Sequence, residues 1–124
     1  MEENKTKLGE SLYWLDNDDI LNIVGIGDTT DEMAPEYRKI VLGFLEQVKG
    51  KADWLVDLNK AGHQSSLARK AYKDMSEYEK SGKVAIFGLN PVARVIASFV
   101  MRGSRNKRLR FFKTRDEALA WLRE

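Results

Sequence analysis

The chain has 124 residues, 43% of them apolar and 32% charged, with a formal net charge of +2. That is enough for one domain with a real core and short for two, and so small a net charge implies no field strong enough to draw nucleic acid. Cysteine is absent, which excludes disulfides, thiolate chemistry and Cys-type zinc sites and fits a reducing compartment.

The opening MEENKTKLGES is charged and polar, unlike a signal peptide. No apolar run approaches the roughly 20 residues of a membrane span. The expectation is a cytoplasmic chain with one domain over 1–124, residues 1–7 forming a flexible N-terminus. Residues 8–15, LGESLYWL, read as a first strand. Asp16-Asn17-Asp18-Asp19 is a turn, because short carboxylate and amide side chains bond their own backbone. Residues 20–26, ILNIVGI, are rich in β-branched side chains and predict a second strand, closing a hairpin. Asp16 and Asp18 are spaced like the first ligands of a calcium loop. The glycine and terminal glutamate such a loop needs are replaced by Leu21 and Gly27, so the segment reads as a turn and no metal is expected.

Pro35 suits the first turn of a helix, where its missing N–H is no loss. Tyr37, Ile40, Val41, Phe44, Leu45 and Val48 then form one stripe at helical period, with Gly50 as a left-handed stop. Trp54 to Leu58 predicts a strand, followed by a polar loop over Asn59 to Gln64. A second helix runs from Ser66 to about Lys80, with Leu67, Ala71, Tyr72, Met75 and Tyr78 inward and Gly82 ending it. Val84 to Phe87 is a continuous apolar strand, as in a sheet covered on both faces. Asn90 caps and Pro91 opens a third helix, whose stripe is Val92, Val95, Ile96, Phe99 and Val100. Leu109 to Phe112 is the last strand. Thr114-x-x-Glu117 is a capping box opening a final helix that buries Ala118, Leu119, Trp121 and Leu122. The fold class is therefore α/β, a single mixed β-sheet flanked by helices in the order ββαβαβαβα, with parallel pairing after the opening hairpin.

Ligands of such sheets bind where the loops after the parallel strands gather. Here those loops are Asn59 to Gln64, Gly88 to Asn90, and Lys113 to Thr114. Ser65 and Ser66 stand at that end. One serine suffices to cap the helix; the second is open to solvation or to a regulatory role. A phosphate at a helix N-terminus is favoured by the dipole and changes the surface charge by nearly two units. His63, Asp57 and Ser65 can be drawn as a triad, but no nucleophile-elbow motif accompanies them, and His63 alone makes a poor metal site. Gly88-Leu89-Asn90-Pro91 is a helix start without a phosphate-loop pattern. From Arg102 to Arg115 lies a basic run that includes Arg105, Arg108 and Arg110, of which Arg108 and Arg110 share one strand face. Nucleic acid or anionic lipid could use it; a charged guard on an edge strand explains it equally simply, and the near-neutral total favours the guard.

The segments DWLVDLNKAG, KVAIFGLNPVARVIASF and RFFKTRDEALAWL, with a serine pair opening the second helix, resemble the STAS domain in its SpoIIAA-like (STAS/SEC14-like) branch, related to bacterial anti-sigma-factor antagonists. The resemblance spans about Leu8 to Leu122. It implies a non-enzymatic regulatory domain without cofactors that binds a protein partner, a serine kinase acting as anti-sigma factor. It also implies phosphorylation at Ser65, with Ser66 next, and docking through Asn59, Lys60, His63, Gln64 and Asn90. The chain departs from the D-S-S-G pattern of those antagonists, having Gln64-Ser65-Ser66-Leu67. The rival expectation is a carrier of a small apolar molecule or lipid, lined by Leu12, Trp14, Ile23, Phe99, Val100 and Met101. A homodimer through an edge strand or apolar helix face is a further expectation.

Overall fold

Gly9 divides the first expected strand in two. Its φ of +60° is a conformation open to glycine at little cost, and it turns the chain between β1 (Thr6–Leu8) and β2 (Ser11–Leu15). Leu8 pairs with Ser11 in an antiparallel register. Thr6 and Lys7, expected in a flexible terminus, are strand residues instead. The computed structural model describes residues 5–89, 91, 95, 102 and 108–124.

Asp16 makes the next turn. Its Oδ1 accepts from the backbone N–H of Asp18 at 2.8 Å and of Ile20 at 3.1 Å, and its Oδ2 accepts from Asn22 Nδ2 at 3.0 Å. These bonds occupy the carboxylate, as the turn reading requires. The chain then enters β3 (Ile20–Thr29), antiparallel to β2. The sheet continues in sequence order through β4 (Ala52–Gln64), β5 (Ser81–Phe87) and β6 (Leu109–Phe112), all parallel to β3, so β1 and β6 are the edges.

The stripe read from the sequence is the buried side of α1 (Ala34–Leu45). Tyr37, Val41 and Leu45 are buried there, and Ile40 and Phe44 pack against the same cluster. The helix does not reach Gly50. It closes through Gln47 N–H to Phe44 O and Val48 N–H to Leu45 O, at 3.0 and 3.2 Å. Such i−3 bonds satisfy the last carbonyls without a left-handed residue. Helix α2 (Ser66–Ser76) is likewise shorter than expected. Ser76 Oγ donates to Lys73 O at 2.8 Å and Ser81 Oγ to Met75 O at 2.7 Å, and Gly82 lies in β5. Helix α3 (Arg115–Leu122) begins at Thr114, whose side chain accepts from Glu117 N. Glu117 returns its bond to Lys113 N at 3.1 Å, one residue before the capping box predicts.

Alternation in the strands builds two cores. Leu21, Ile23, Trp54, Val56, Val84, Ile86 and Leu109 face α1 and α2. Ile20, Leu55, Ala85 and Phe87 face α3 through Ala118 and Leu122. Both faces of β4 and β5 are thus covered, which is why those strands read as unbroken apolar runs. Arg38 on α1 and Asp74 on α2 meet at 2.9 Å across the helix pair.

Three expectations fall on the segment between β5 and β6. Pro91, Val95 and Arg102 are helical. Val95 is 66% exposed, not part of an inward stripe. Asn90, Val92, Ile96, Phe99, Val100, Met101 and Arg105 lie outside the described residues. Among the described residues no helix is long and apolar enough to cross a membrane.

Candidate functional site

Residues Asn59 to Gln64 are strand, not loop. Strand β4 runs beside β3 to Gln64, and its register slips twice. Val24 opposes Asp57 and Ile26 opposes Lys60; Gly27 opposes Ala61 and Thr29 opposes Gln64. Each interval holds one more residue on β4, the signature of a β-bulge. Side chains bind the freed backbone groups. Asp57 Oδ1 accepts from Asn59 N and Nδ2, both at 2.9 Å, and Asp28 Oδ1 accepts from His63 N at 2.7 Å. The short polar segment N-K-A-G-H-Q hides this strand, because bulges break the period of two on which a strand reading depends.

The bulges sort the expected docking residues. Asn59, Lys60 and His63 are exposed. Gln64 is 4% exposed and structural. Its Nε2 donates to Gly62 O at 3.1 Å and Gly27 O at 3.3 Å, and its Oε1 accepts from Tyr72. Gln64 is thereby removed from any docking surface.

Ser65 is the N-cap of α2, its Oγ accepting from Ala68 N at 3.1 Å. That local bond, and the Asn59 bonds of Asp57, engage the two residues that a triad with His63 would require. Ser66 is exposed, and Arg69 Nη2 donates to its Oγ at 3.3 Å while Nη1 donates to Gln64 O at 2.6 Å. Leu67, expected inward, is 50% exposed. The fully buried residues of α2 are Ala68, Ala71 and Ser76; their small side chains let the helix approach the sheet, with Leu67 turned outward. Ser66, Leu67 and a guanidinium therefore share the start of α2, at the C-terminal end of β4.

Gly88 closes the neighbouring strand end with a φ of +80°. A methyl there would lie 2.8 Å from the backbone nitrogen of Asn59, so the end of β5 touches β4 at its first bulge. Of the basic run, Arg108 and Arg110 are exposed on and beside edge strand β6. Arg110 lies over the Trp121 ring, its guanidinium carbon 5.5 Å from the centroid. Among the described residues no group of three His, Cys, Asp or Glu is placed to hold a metal.

A second feature escaped the sequence reading. Between the sheet and helices α1 and α2 lies a cavity of about 80 Å³ whose walls include Tyr13, Ile23, Tyr37, Trp54, Gln64 and Tyr72. Of the expected lining, Ile23 belongs to it, and Phe99, Val100 and Met101 lie outside the described residues. Leu12 and Trp14 alternate onto the other face of β2. The tyrosine rings meet edge-on, Tyr13 to Tyr37 at 6.0 Å and Tyr37 to Tyr72 at 4.8 Å. Trp54 is 3% exposed, and its Nε1 is the one buried side-chain nitrogen or oxygen without a hydrogen-bond partner among the described residues. Such an unpaired donor costs about 1–3 kcal/mol. The signal available in the sequence was Tyr and Trp at inward positions, since each brings a polar atom that needs a partner.

Burial raises the Tyr13 and Tyr37 phenols well above the ordinary value of 10.0 and pushes Tyr72 up to about 12. The raised values favour the neutral, folded form. Their stabilising contribution is therefore complete below pH 10 and is lost as pH rises through the folded values. In an alkaline titration followed by phenolate absorbance and far-UV circular dichroism, these three tyrosines are expected to ionise together with loss of structure. Ionisation of three phenols near pH 10 in the folded protein would contradict the buried cluster.

Residues 13–124 match the family described as domain of unknown function DUF7793. The chain belongs to that family. No curated protein matches it. Among solved structures it is similar to an uncharacterized DUF3478-family protein with a SpoIIAA-like fold from Shewanella loihica PV-4. The TM-score is 0.70 at 19% identity, over 94% of this chain and 97% of that one. It is similar to an anti-sigma factor antagonist from Mycobacterium paratuberculosis, with TM-score 0.69 and 17% identity over 92% and 93% of the two chains. It is also similar to the anti-sigma factor antagonist SpoIIAA in its unphosphorylated form, with TM-score 0.64 and 13% identity over 90% and 96%. At such identities the likeness establishes the fold: this member of the family has a STAS/SpoIIAA-like architecture, as its resemblance implies.

Proposed function

We propose that this protein is a non-enzymatic regulatory domain that docks a protein partner through the first turn of α2 and is switched by phosphorylation there. The observation that carries the reading is the joint exposure of Ser66 and Leu67 at the strand end where α2 begins. An apolar side chain beside a modifiable hydroxyl gives a partner both an anchor and a charge to sense. His63, Lys60 and Asn59 extend this surface along the bulged end of β4. The likeness to anti-sigma factor antagonists supports a partner of the anti-sigma-factor type, and the resemblance to their family implies that it is a serine kinase.

Ser66 is the better acceptor of phosphate. The Ser65 oxygen is engaged as the cap, and Ser65 is less exposed than Ser66. A phosphate on Ser66 would meet the guanidinium of Arg69, already in contact with its oxygen, and the positive end of the helix dipole, so it would leave α2 intact. Peptide-level mass spectrometry of protein isolated from its own cells is expected to find phosphate on Ser66, with Ser65 the secondary site. Unmodified serines under several growth conditions would overturn the switch. Binding of the cognate partner left unchanged by both Ser66→Asp and Leu67→Ala would overturn the docking surface.

A further inference from the structure

We infer that the cavity between the sheet and helices α1 and α2 is a binding site for a small, uncharged, mostly apolar molecule with one hydrogen-bond acceptor, received by the indole N–H of Trp54. The inference stands apart from the docking surface on the outer side of α2. Among the described residues, none that lines the cavity is charged. A carboxylate, ammonium or phosphate would lose its hydration there without gaining a counter-ion, which excludes ionic ligands.

Several of the polar lining groups are already spent on the protein. Gln64 binds Gly27, Gly62 and Tyr72; Ser76 Oγ donates to Lys73 O; Ser11 Oγ exchanges bonds with Ile26. The Trp54 Nε1 donor is left over. A neutral carbonyl compound supplies the single acceptor this donor lacks and apolar surface for the rest of the wall. The volume of about 80 Å³ is roughly half that of an apolar cavity known to take benzene, so the ligand has only a handful of heavy atoms. Ketones, aldehydes and short esters meet these conditions.

The test follows the indole N–H resonances of ¹⁵N-labelled full-length protein. There are three tryptophans, and Trp54→Phe assigns the resonance of interest. Titration with acetone is expected to move the Trp54 resonance downfield saturably while those of Trp14 and Trp121 hold. Isobutane, the same size without the acceptor, should give no downfield movement. In Trp54→Phe, which keeps an aromatic wall and loses the donor, acetone binding followed on backbone amides should weaken about fivefold. In Ala61→Leu, which fills the cavity, binding should vanish with the Trp14 and Trp121 resonances in place. A shift of Trp54 that never saturates overturns the site. Equal affinity in Trp54→Phe overturns the role of the indole and needs no other variant to fold.

Discussion

Gly88→Ala is expected to cost about 2–4 kcal/mol of stability, from left-handed strain and overpacking together. The residue sits at φ +80°, and the new methyl would lie 2.8 Å from the Asn59 backbone nitrogen. Backbone cannot swing aside as a side chain tip can, so the end of β5 must part from β4. Urea unfolding should show a lower midpoint at unchanged slope, because a folded-state contact is lost while the surface exposed on unfolding is not altered. Gly43→Ala is the matching control. Gly43 lies in α1 with nothing within 4 Å of an added methyl, so the same chemical change there should stabilise by about 0.5–1 kcal/mol. A loss below about 0.5 kcal/mol at Gly88 would mean that the end of β5 is not in contact with β4 at Asn59.

Leu45→Ala is expected to cost about 2–5 kcal/mol, the range for deleting a buried leucine side chain and leaving a cavity. Leu45 is fully buried at the end of α1. Against a total of about 5–15 kcal/mol for an ordinary domain, this variant remains folded in the cold and melts early. Leu67→Ala makes the comparison decisive. Both leucines read as inward from helical spacing, yet Leu67 is half exposed. Its truncation should change stability by no more than about 0.5 kcal/mol, and its effect should appear in partner binding instead. Equal losses at the two positions in calorimetry would place Leu67 in the core and remove the proposed anchor.

Leu67 also shows where reading from sequence stops. Helical spacing finds a face but weighs large side chains most: Ala71, Tyr72, Met75 and Tyr78 do meet the core as expected, while Leu67 was added to that face and Ala68 passed over. Ala68, Ala71 and Ser76 are the buried residues, and alanine carries little pattern because it suits helix surface and core alike. In α1 the large residues are themselves the contacts, and the stripe was correct. The docking segment divides in the same way. Ser65 as cap followed from local chemistry. Exposure of Ser66 beside Arg69 and burial of Gln64 did not, because both depend on where β4 runs relative to β3.

Local physics in the sequence determined most element types, the parallel order after the hairpin and the caps at Ser65 and Thr114, but not that Asn59 to Gln64 is strand. Each depends on periodicity or on bonds that reach only a few residues. The STAS-type resemblance pointed to the same architecture. Tertiary structure alone decided the two bulges of β4, the contact of Gly88 with Asn59, and the cavity with its unpartnered Trp54 nitrogen. These arise between segments tens of residues apart, where the registry of one strand against another sets which polar atoms meet and which are left over. No local pattern encodes that registry, since a slip of one residue exchanges the faces of a strand while leaving its composition unchanged.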